Sequence, residues 1–243
     1  MRAIHDNLQA VRQRIARAAE AAGRDPSTVT LLAVSKTHPA ALVEQALDAG
    51  QRSFGENYVR EATEKMDDLS GKDVEWHLIG PLQSNKTRLA AARFHWVQTV
   101  DSEKIARRLS DQRPAGMAPL NVLIQVNVSG EDSKSGVAPG AVRRLADTIS
   151  SLPNLKLRGL MAVPEPTADN ALLRARFRQL REILEKLPGR PDTLSMGMSD
   201  DMEAAIAEGA TMVRIGTAIF GERTNRGNGV PPAPPMQKIR PAA

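Results

Sequence analysis

No cysteine occurs in the 243 residues. Disulfides, thiolate metal ligands and a cysteine nucleophile are therefore excluded, and the chain suits a reducing compartment. Aromatic residues are almost as scarce, with one tyrosine, four phenylalanines and two tryptophans, too few to build the stacking platforms that hold single-stranded nucleic acid. The excess of 33 basic over 28 acidic residues, a net charge of +5, does not restore that role. Arg223, Arg226, Lys238 and Arg240, set against Glu222, place three of those five charges in the last stretch of the chain. No apolar run approaches a membrane span. The N-terminus, where charges interleave with Ile4, Leu8, Val11 and Ile15, is too polar for a signal-peptide core and has helical spacing. No Gly-x-Gly-x-x-Gly follows the first candidate strand, which weakens a dinucleotide-binding reading. The expectation is a cytoplasmic protein with neither nucleic-acid nor membrane partners.

What is present is a sustained alternation of strand and helix patterns. The apolar run Thr30-Leu31-Leu32-Ala33-Val34 leads straight into Ser35-Lys36, and Pro39 opens a helix ending at Gly50, as expected for a strand buried on both faces of a parallel sheet. Further strands are expected at Arg52–Gly55, Val74–Ile79, His95–Val100, Asn121–Val128, Leu155–Val163, Thr193–Met196 and Thr211–Ile215. The intervening helices are expected at Glu56–Leu69, near Ser84–Arg93, and at Ser102–Ser110, Pro139–Ser151, Asn170–Leu187 and Asp200–Glu208. About eight strand-helix units with few hairpin signals favour an α/β chain closed as a (β/α)8 TIM-type barrel, with an extra N-terminal helix, over an open sheet. The barrel domain is expected over residues 1–221 and a disordered, basic, Pro/Gly-rich tail over 222–243, since such a composition cannot bury enough apolar surface to fold.

Barrels of this type carry their chemistry at the carboxyl ends of the strands. Lys36 falls there. An amine rooted in the mouth of a packed core loses hydration, its pKa falls, and it becomes a carbonyl nucleophile; the alternative is a lysine that snorkels to water. The loops after the seventh and eighth strands commonly hold an anion in such barrels. Here they read Ser195-Met196-Gly197-Met198-Ser199-Asp200-Asp201 and Arg214-Ile215-Gly216-Thr217-Ala218. They offer the hydroxyls of Ser195, Ser199 and Thr217, two glycines at which backbone can approach a ligand, and helix starts. Asp200 and Asp201 would repel a dianion unless they serve as caps, and a capped helix without a ligand is the alternative. Arg214 should point to the same mouth, either as a fixed donor to a ring nitrogen or in a core-end salt bridge. An aldehyde acceptor, a phosphate cup and a donor between them describe a site for pyridoxal 5′-phosphate.

Several segments resemble the pyridoxal phosphate homeostasis protein family, single-domain barrels similar to the N-terminal barrel of alanine racemases. They are Ala33-Val34-Ser35-Lys36, Phe54-Gly55-Glu56-Asn57-Tyr58, Trp76-His77-Leu78-Ile79-Gly80-Pro81-Leu82-Gln83-Ser84-Asn85-Lys86, Val126 through Gly136, Gly159-Leu160-Met161, and Leu194 through Gly221. The resemblance implies that Lys36 forms the internal aldimine, that Ser199, Gly216 and Thr217 hold the phosphate, and that Arg214 meets the ring nitrogen. It implies that Asn57 and His77 line the mouth, and that Met161, Ser195, Gly197 and Met198 complete the cofactor-binding set. His77 taken alone reads as a satisfied strand-end histidine. Lys134 reads as a loop lysine that could act as a second acceptor in cofactor transfer. Racemisation needs proton donors on both faces of the substrate, and the sole tyrosine, Tyr58, has no evident route to the site. The expected role is therefore a monomeric, non-enzymatic carrier that buffers pyridoxal phosphate and delivers it to dependent apoenzymes. The alternatives are a weak amino-acid racemase and, from another class, a basic nucleic-acid-associated protein.

Overall fold

The computed structural model describes residues 2–130 and 135–222. Lys134 and the tail from residue 223 onward, for which expectations were stated above, lie outside the described residues. The chain opens with helix α1 (Arg2–Ala21) and then alternates. The strands are β1 (Thr30–Val34), β2 (Ser53–Glu56), β3 (Glu75–Leu78), β4 (Trp96–Val100), β5 (Leu120–Gln125), β6 (Leu155–Met161), β7 (Thr193–Ser195) and β8 (Met212–Ile215). The helices that follow them in turn are α2 (Ala40–Asp48), α3 (Val59–Asp68), α4 (Thr87–Arg93), α5 (Glu103–Gln112), α6 (Val142–Ser150), α7 (Asn170–Glu185), α8 (Met202–Ala207) and α9 (Thr217–Phe220). The eight strands close in sequence order, every neighbouring pair is parallel, and β8 returns to β1 with Leu32 opposite Arg214. This is the expected (β/α)8 barrel with its additional first helix.

The barrel follows from strands that have no solvent-facing side. β4 is buried along its whole length and β1 along all but its first residue. Alternate side chains therefore serve two interiors. Outward-pointing residues such as Phe54, Trp76, Leu78 and Val97 join the shell packed against the helices, whereas Trp96, Leu123 and Met161 form a separate apolar cluster. In register terms Gly55, His77 and Trp96 lie side by side on β2, β3 and β4, which puts their side-chain positions on one face of the sheet. Helix α1 buries Ile4, Leu8, Val11 and Ile15, the stripe read from the sequence. Each such side chain contributes about 2 kcal/mol of transfer free energy. The helix is fastened further where Asn7 donates to the Ile219 carbonyl at 2.9 Å. Among the described residues no helix is long and apolar enough to cross a membrane, and no group of side chains has the make-up of a metal site.

Some boundaries differ from the sequence expectation. The second core helix starts at Val59, and Glu56 ends β2. The extended backbone there aims the Glu56 carboxylate into the core, where it accepts from Ser35 and Lys65, and that tertiary demand outweighs the good helix propensity of glutamate. The fifth strand stops at Gln125, three residues short of Val128, after which Val126 bridges to Val137. Ser102 caps α5 by accepting from the Ile105 amide.

Candidate functional site

A cavity of about 480 Å³ opens at the carboxyl ends of the strands, a size typical of sites for small organic ligands. Lys36 and Asn57 reach it from the loops after β1 and β2, Met198 and Ser199 from the loop after β7, Arg214 from β8 itself, and Gly216 and Thr217 from the turn into α9. Seven of the eleven residues expected at the site thus surround one space. The sequence did not single out His38 or Val163, which also line it. His38 is buried, with its ring 5.2 Å from that of Phe220.

Lys36 stands half-buried in the turn beyond β1. The next residue, Thr37, has a left-handed backbone with φ 66°, uncommon for a side chain branched at Cβ. Strain of this kind persists only where the surroundings over-determine it. Here the Thr37 amide donates to Glu61 Oε1 at 2.6 Å. On the other side of Lys36, the Ser35 carbonyl accepts from Lys65 Nζ at 2.7 Å and the Ser35 hydroxyl donates to Glu56 Oε1 at 2.6 Å. Lys65 in turn pairs with Glu56 at 2.7 Å and with Glu61 at 2.8 Å. A buried ion cluster thus grips the backbone on both sides of the candidate nucleophile. Burial pushes the Glu56 carboxyl above its usual range, opposed by Lys65 and Ser35. Only the Glu61–Lys65 spacing of four was legible in advance; the role of Glu56 depends on β2.

The opposite rim carries the buried Arg214 guanidinium and, beside Ser199, the acidic side chain of Asp200, which lines the cavity as well. Arg214 is buried, donating from Nη1 to Ser195 Oγ and from Nη2 to the Ala162 carbonyl, each at 2.9 Å. Its acceptors are a hydroxyl and a carbonyl, not the carboxylate of a core-end salt bridge. Burial lowers its pKa to about 10, against the pull of Asp201, and it stays protonated at neutral pH. In the loop after β7, Asp201 accepts from the Met198 amide at 2.5 Å, so that amide is already engaged. Burial raises the Asp201 carboxyl, with this bond and Arg214 opposing. Ser199 offers its hydroxyl while its carbonyl accepts from Arg14 at 2.7 Å, tying the loop to α1. With six residues in α8 and four in α9, helix dipoles add little. An anion here would rest on the Ser199 and Thr217 hydroxyls, the amides entering α9, and the charges of Lys36 and Arg214. At Gly216 a Cβ would come within 3.2 Å of the Val34 carbonyl oxygen, a tight approach that leaves little room for a side chain beside the cup.

Four expected site residues are not brought to the cavity. Gly197 has φ 93°, and a Cβ there would meet the Ala205 Cβ at 2.6 Å, so this glycine serves the turn and its packing on α8. Met161 belongs to the Trp96–Leu123 cluster. Ser195 is buried behind Arg214, donating to Gln98 Oε1 at 2.6 Å. His77 is sealed from solvent, stacked on Trp96 at 5.1 Å, and hydrogen-bonded to Glu75 and Gln98 at 2.8 and 2.9 Å. For His77, Met161 and Ser195 the physical reason is depth, since inward-facing strand residues below the mouth fill the barrel interior, and of the expected residues only Arg214 reaches the cavity from within a strand. Gln98 was missed, although a glutamine in a strand with no exposed residue was a readable signal that a buried polar partner awaited it.

The buried histidines give this protein a pH signature. Burial holds the His77 pKa below its ordinary 6.5, with Glu75 opposing, and burial lowers that of His95 too. Below about pH 6.5 the unfolded chain takes up protons that the native state refuses, so stability falls as pH drops. Glu75 extends the trend, because the hydrogen bond from His77 holds its pKa at about 2 and its contribution is lost as pH falls from 4.5 toward that value. Glu56 and Asp201, shifted upward by burial, act in the opposite sense. The His77 share is therefore read as the difference between wild type and His77→Phe. Urea midpoints between about pH 7.5 and pH 5.5 should fall less steeply in the variant; parallel slopes would remove His77 from this account.

A family profile described as "Alanine racemase, N-terminal domain" matches residues 7–224. The chain is 61% identical over 223 residues to the pyridoxal phosphate homeostasis protein of Pseudomonas aeruginosa, covering 92% of this chain and 97% of that protein. It is 54% identical over 229 residues to the protein of the same name in Escherichia coli, covering 92% and 98%. The structure is similar to that of PipY from Synechococcus elongatus solved with PLP bound, with a TM-score of 0.78 and 38% identity over 90% of this chain and all of that one.

Proposed function

Since the chain belongs to the alanine racemase N-terminal domain family and, within it, to the pyridoxal phosphate homeostasis proteins, we propose that it binds pyridoxal 5′-phosphate at the mouth of the barrel, holds it reversibly on Lys36, and stores and delivers it without robust catalysis of its own. The observation that carries this reading is the convergence of one primary amine, one buried guanidinium and two hydroxyl-bearing loops on a single cavity. That donor set fits the group: an amine for its aldehyde, Arg214 as a permanent donor for its ring nitrogen, and Ser199 with Thr217 for its phosphate. When bound, the cofactor supplies an aldehyde that condenses reversibly with primary amines. The protein's own residues do the rest. The Glu56–Lys65–Glu61 cluster presents the Lys36 turn, Arg214 would donate to the ring nitrogen and so favour its unprotonated form, and Asn57 would line the side near β2. An unprotonated ring nitrogen is a weak electron sink, which disfavours carbanion chemistry and suits a carrier. In this reading the protein acts as a monomer in the cytoplasm and hands the cofactor to dependent apoenzymes.

The test is spectroscopic. Purified protein titrated with the cofactor should develop the absorbance of a lysine-bound aldehyde, and borohydride should fix the label on the peptide that contains Lys36. A protein that stays colourless ends the proposal. The second reading, a weak racemase, draws on His38, a further titratable side chain on the same cavity as Lys36. Incubation with enantiopure alanine or serine in deuterated water separates the two, because exchange of the α-hydrogen at enzymatic rates would make this an enzyme. Thr217→Ala should weaken binding of pyridoxal phosphate roughly tenfold, the order of one charge-assisted hydrogen bond, while changing that of pyridoxal little. Equal loss for both ligands, measured by equilibrium dialysis, would move the phosphate elsewhere.

A further inference from the structure

Inside the barrel, side chains from four strands form one continuous line of hydrogen bonds running away from the cavity. Arg214 Nη1 lies 2.9 Å from Ser195 Oγ, which lies 2.6 Å from Gln98 Oε1. Gln98 Nε2 lies 2.9 Å from His77 Nδ1, and His77 Nε2 lies 2.8 Å from Glu75 Oε1. Ser195, Gln98, His77 and Arg214 are all buried, and Glu75 is partly exposed at the far end.

The donor inventory fixes the direction of every link. A guanidinium only donates, so the Ser195 oxygen accepts from Arg214 and its hydroxyl hydrogen goes to Gln98 Oε1. The Gln98 amide nitrogen only donates, so His77 Nδ1 must carry a lone pair. His77 is then neutral with its proton on Nε2, aimed at the Glu75 carboxylate. The line therefore has one polarity, from Arg214 to Glu75.

Protonating His77 reverses part of it. A proton on Nδ1 faces the Gln98 NH2 group, and the conflict is relieved only by turning the amide over. Ser195 then faces two donors, Gln98 and Arg214, and its own hydrogen must find another acceptor, which disturbs the seat of the guanidinium. The groups around His77 are Glu75 on its own strand, Trp96 and Gln98 on β4, His95 just ahead of β4, and Met212 on β8, whose sulfur also receives Gln98 Nε2 at 3.1 Å. Of these only Glu75 favours the cation.

We propose that Gln98 and His77 are positioning residues for Arg214, and that the tautomer of His77 sets, through Gln98 and Ser195, the direction in which the guanidinium is presented to the cavity. This rests on the reading of Arg214 as the group that faces the cofactor ring, and it assigns a function to two side chains that touch no ligand. It also gives the cavity a link to the protonation state of a residue on the far side of the barrel.

Two arms test it. In the ligand-free protein, 15N spectra at neutral pH should show His77 as the neutral Nε2–H tautomer. Gln98→Glu, which can only accept at Nδ1, should convert His77 to the imidazolium. In Gln98→Met the Arg214 side-chain resonances should shift. An Nδ1–H tautomer in the wild type, a neutral His77 in Gln98→Glu, or Arg214 resonances unchanged in Gln98→Met overturns the proposal. If Gln98→Glu does not fold, the wild-type tautomer and Gln98→Met still decide it. In the second arm pyridoxal phosphate is added and the absorbance of the bound cofactor is titrated with pH. Its midpoint should move by about one unit between wild type and Gln98→Met, the scale of a single buried hydrogen bond, and superimposable titrations overturn the link to the cavity. A wild-type protein that binds no cofactor refutes the proposed function instead, and the first arm then judges the polarity by itself.

Discussion

Lys36→Ala should lose the covalent hold proposed for the cofactor and keep the barrel. The turn that carries Lys36 lies outside β1, whose backbone register with β2 and β8 is set by residues 30–34, so that register does not run through the Lys36 side chain. Under the proposed function, what would remain in the variant is the non-covalent grip of Arg214, Ser199 and Thr217. The absorbance of the lysine-bound aldehyde should vanish, borohydride should label no lysine in the cavity, and retention of the cofactor should fall by at least about a hundredfold, on the order of 3 kcal/mol. Lys36→Arg is the control for charge. It restores the positive field but offers no amine that condenses, and it should behave like alanine in the borohydride experiment. A peptide map that still shows a trapped label in either variant would transfer the role to a different lysine.

The second large effect lies behind the site. Lys65→Met removes the cation from a cluster in which Lys65 and Glu56 are both buried. Glu56 Oε2 already lacks a hydrogen-bond partner within the protein, so the variant leaves a nearly uncompensated carboxylate in the core. Breaking such a pair from one side costs about 3–5 kcal/mol, which for a chain of this size lowers the melting temperature by roughly 10 °C. The double variant Lys65→Met, Glu56→Gln should recover most of that stability, because no charge is left stranded. It should not recover the site. The Ser35 carbonyl loses its donor, and Glu61, which holds the Thr37 amide at φ 66°, loses the cation that fixes it, so the rate of borohydride trapping at Lys36 should stay well below wild type. If trapping returns together with the melting temperature, the cluster is structural only.

The strands and helices were legible in the sequence because each element is short and bounded, and because parallel strands buried on both faces must be apolar. The buried stripe of α1 could be read from Ile4, Leu8, Val11 and Ile15 for the same reason. Lys36, Ser199, Arg214 and Thr217 were legible as well, since strand ends in a closed barrel share one mouth whatever the details. His77, Met161, Ser195 and Gly197 were assigned to that mouth by their place in the motifs, and they sit deeper or serve the turn. A motif records which residues occur together. It does not record whether a side chain one or two positions before a strand end faces the cavity or the barrel interior.

The sequence by itself determined that the chain closes into a barrel and that an amine, a guanidinium and a set of hydroxyls share one end of it, because periodicity and strand ends are local properties. Only the tertiary structure decided that Glu56, Glu61 and Lys65 hold the turn around Lys36, and that Gln98 and His77 stand behind Arg214. Those arrangements join residues far apart in the chain, and a buried polar group takes its meaning from whichever partner closure of the barrel brings within about 3 Å of it.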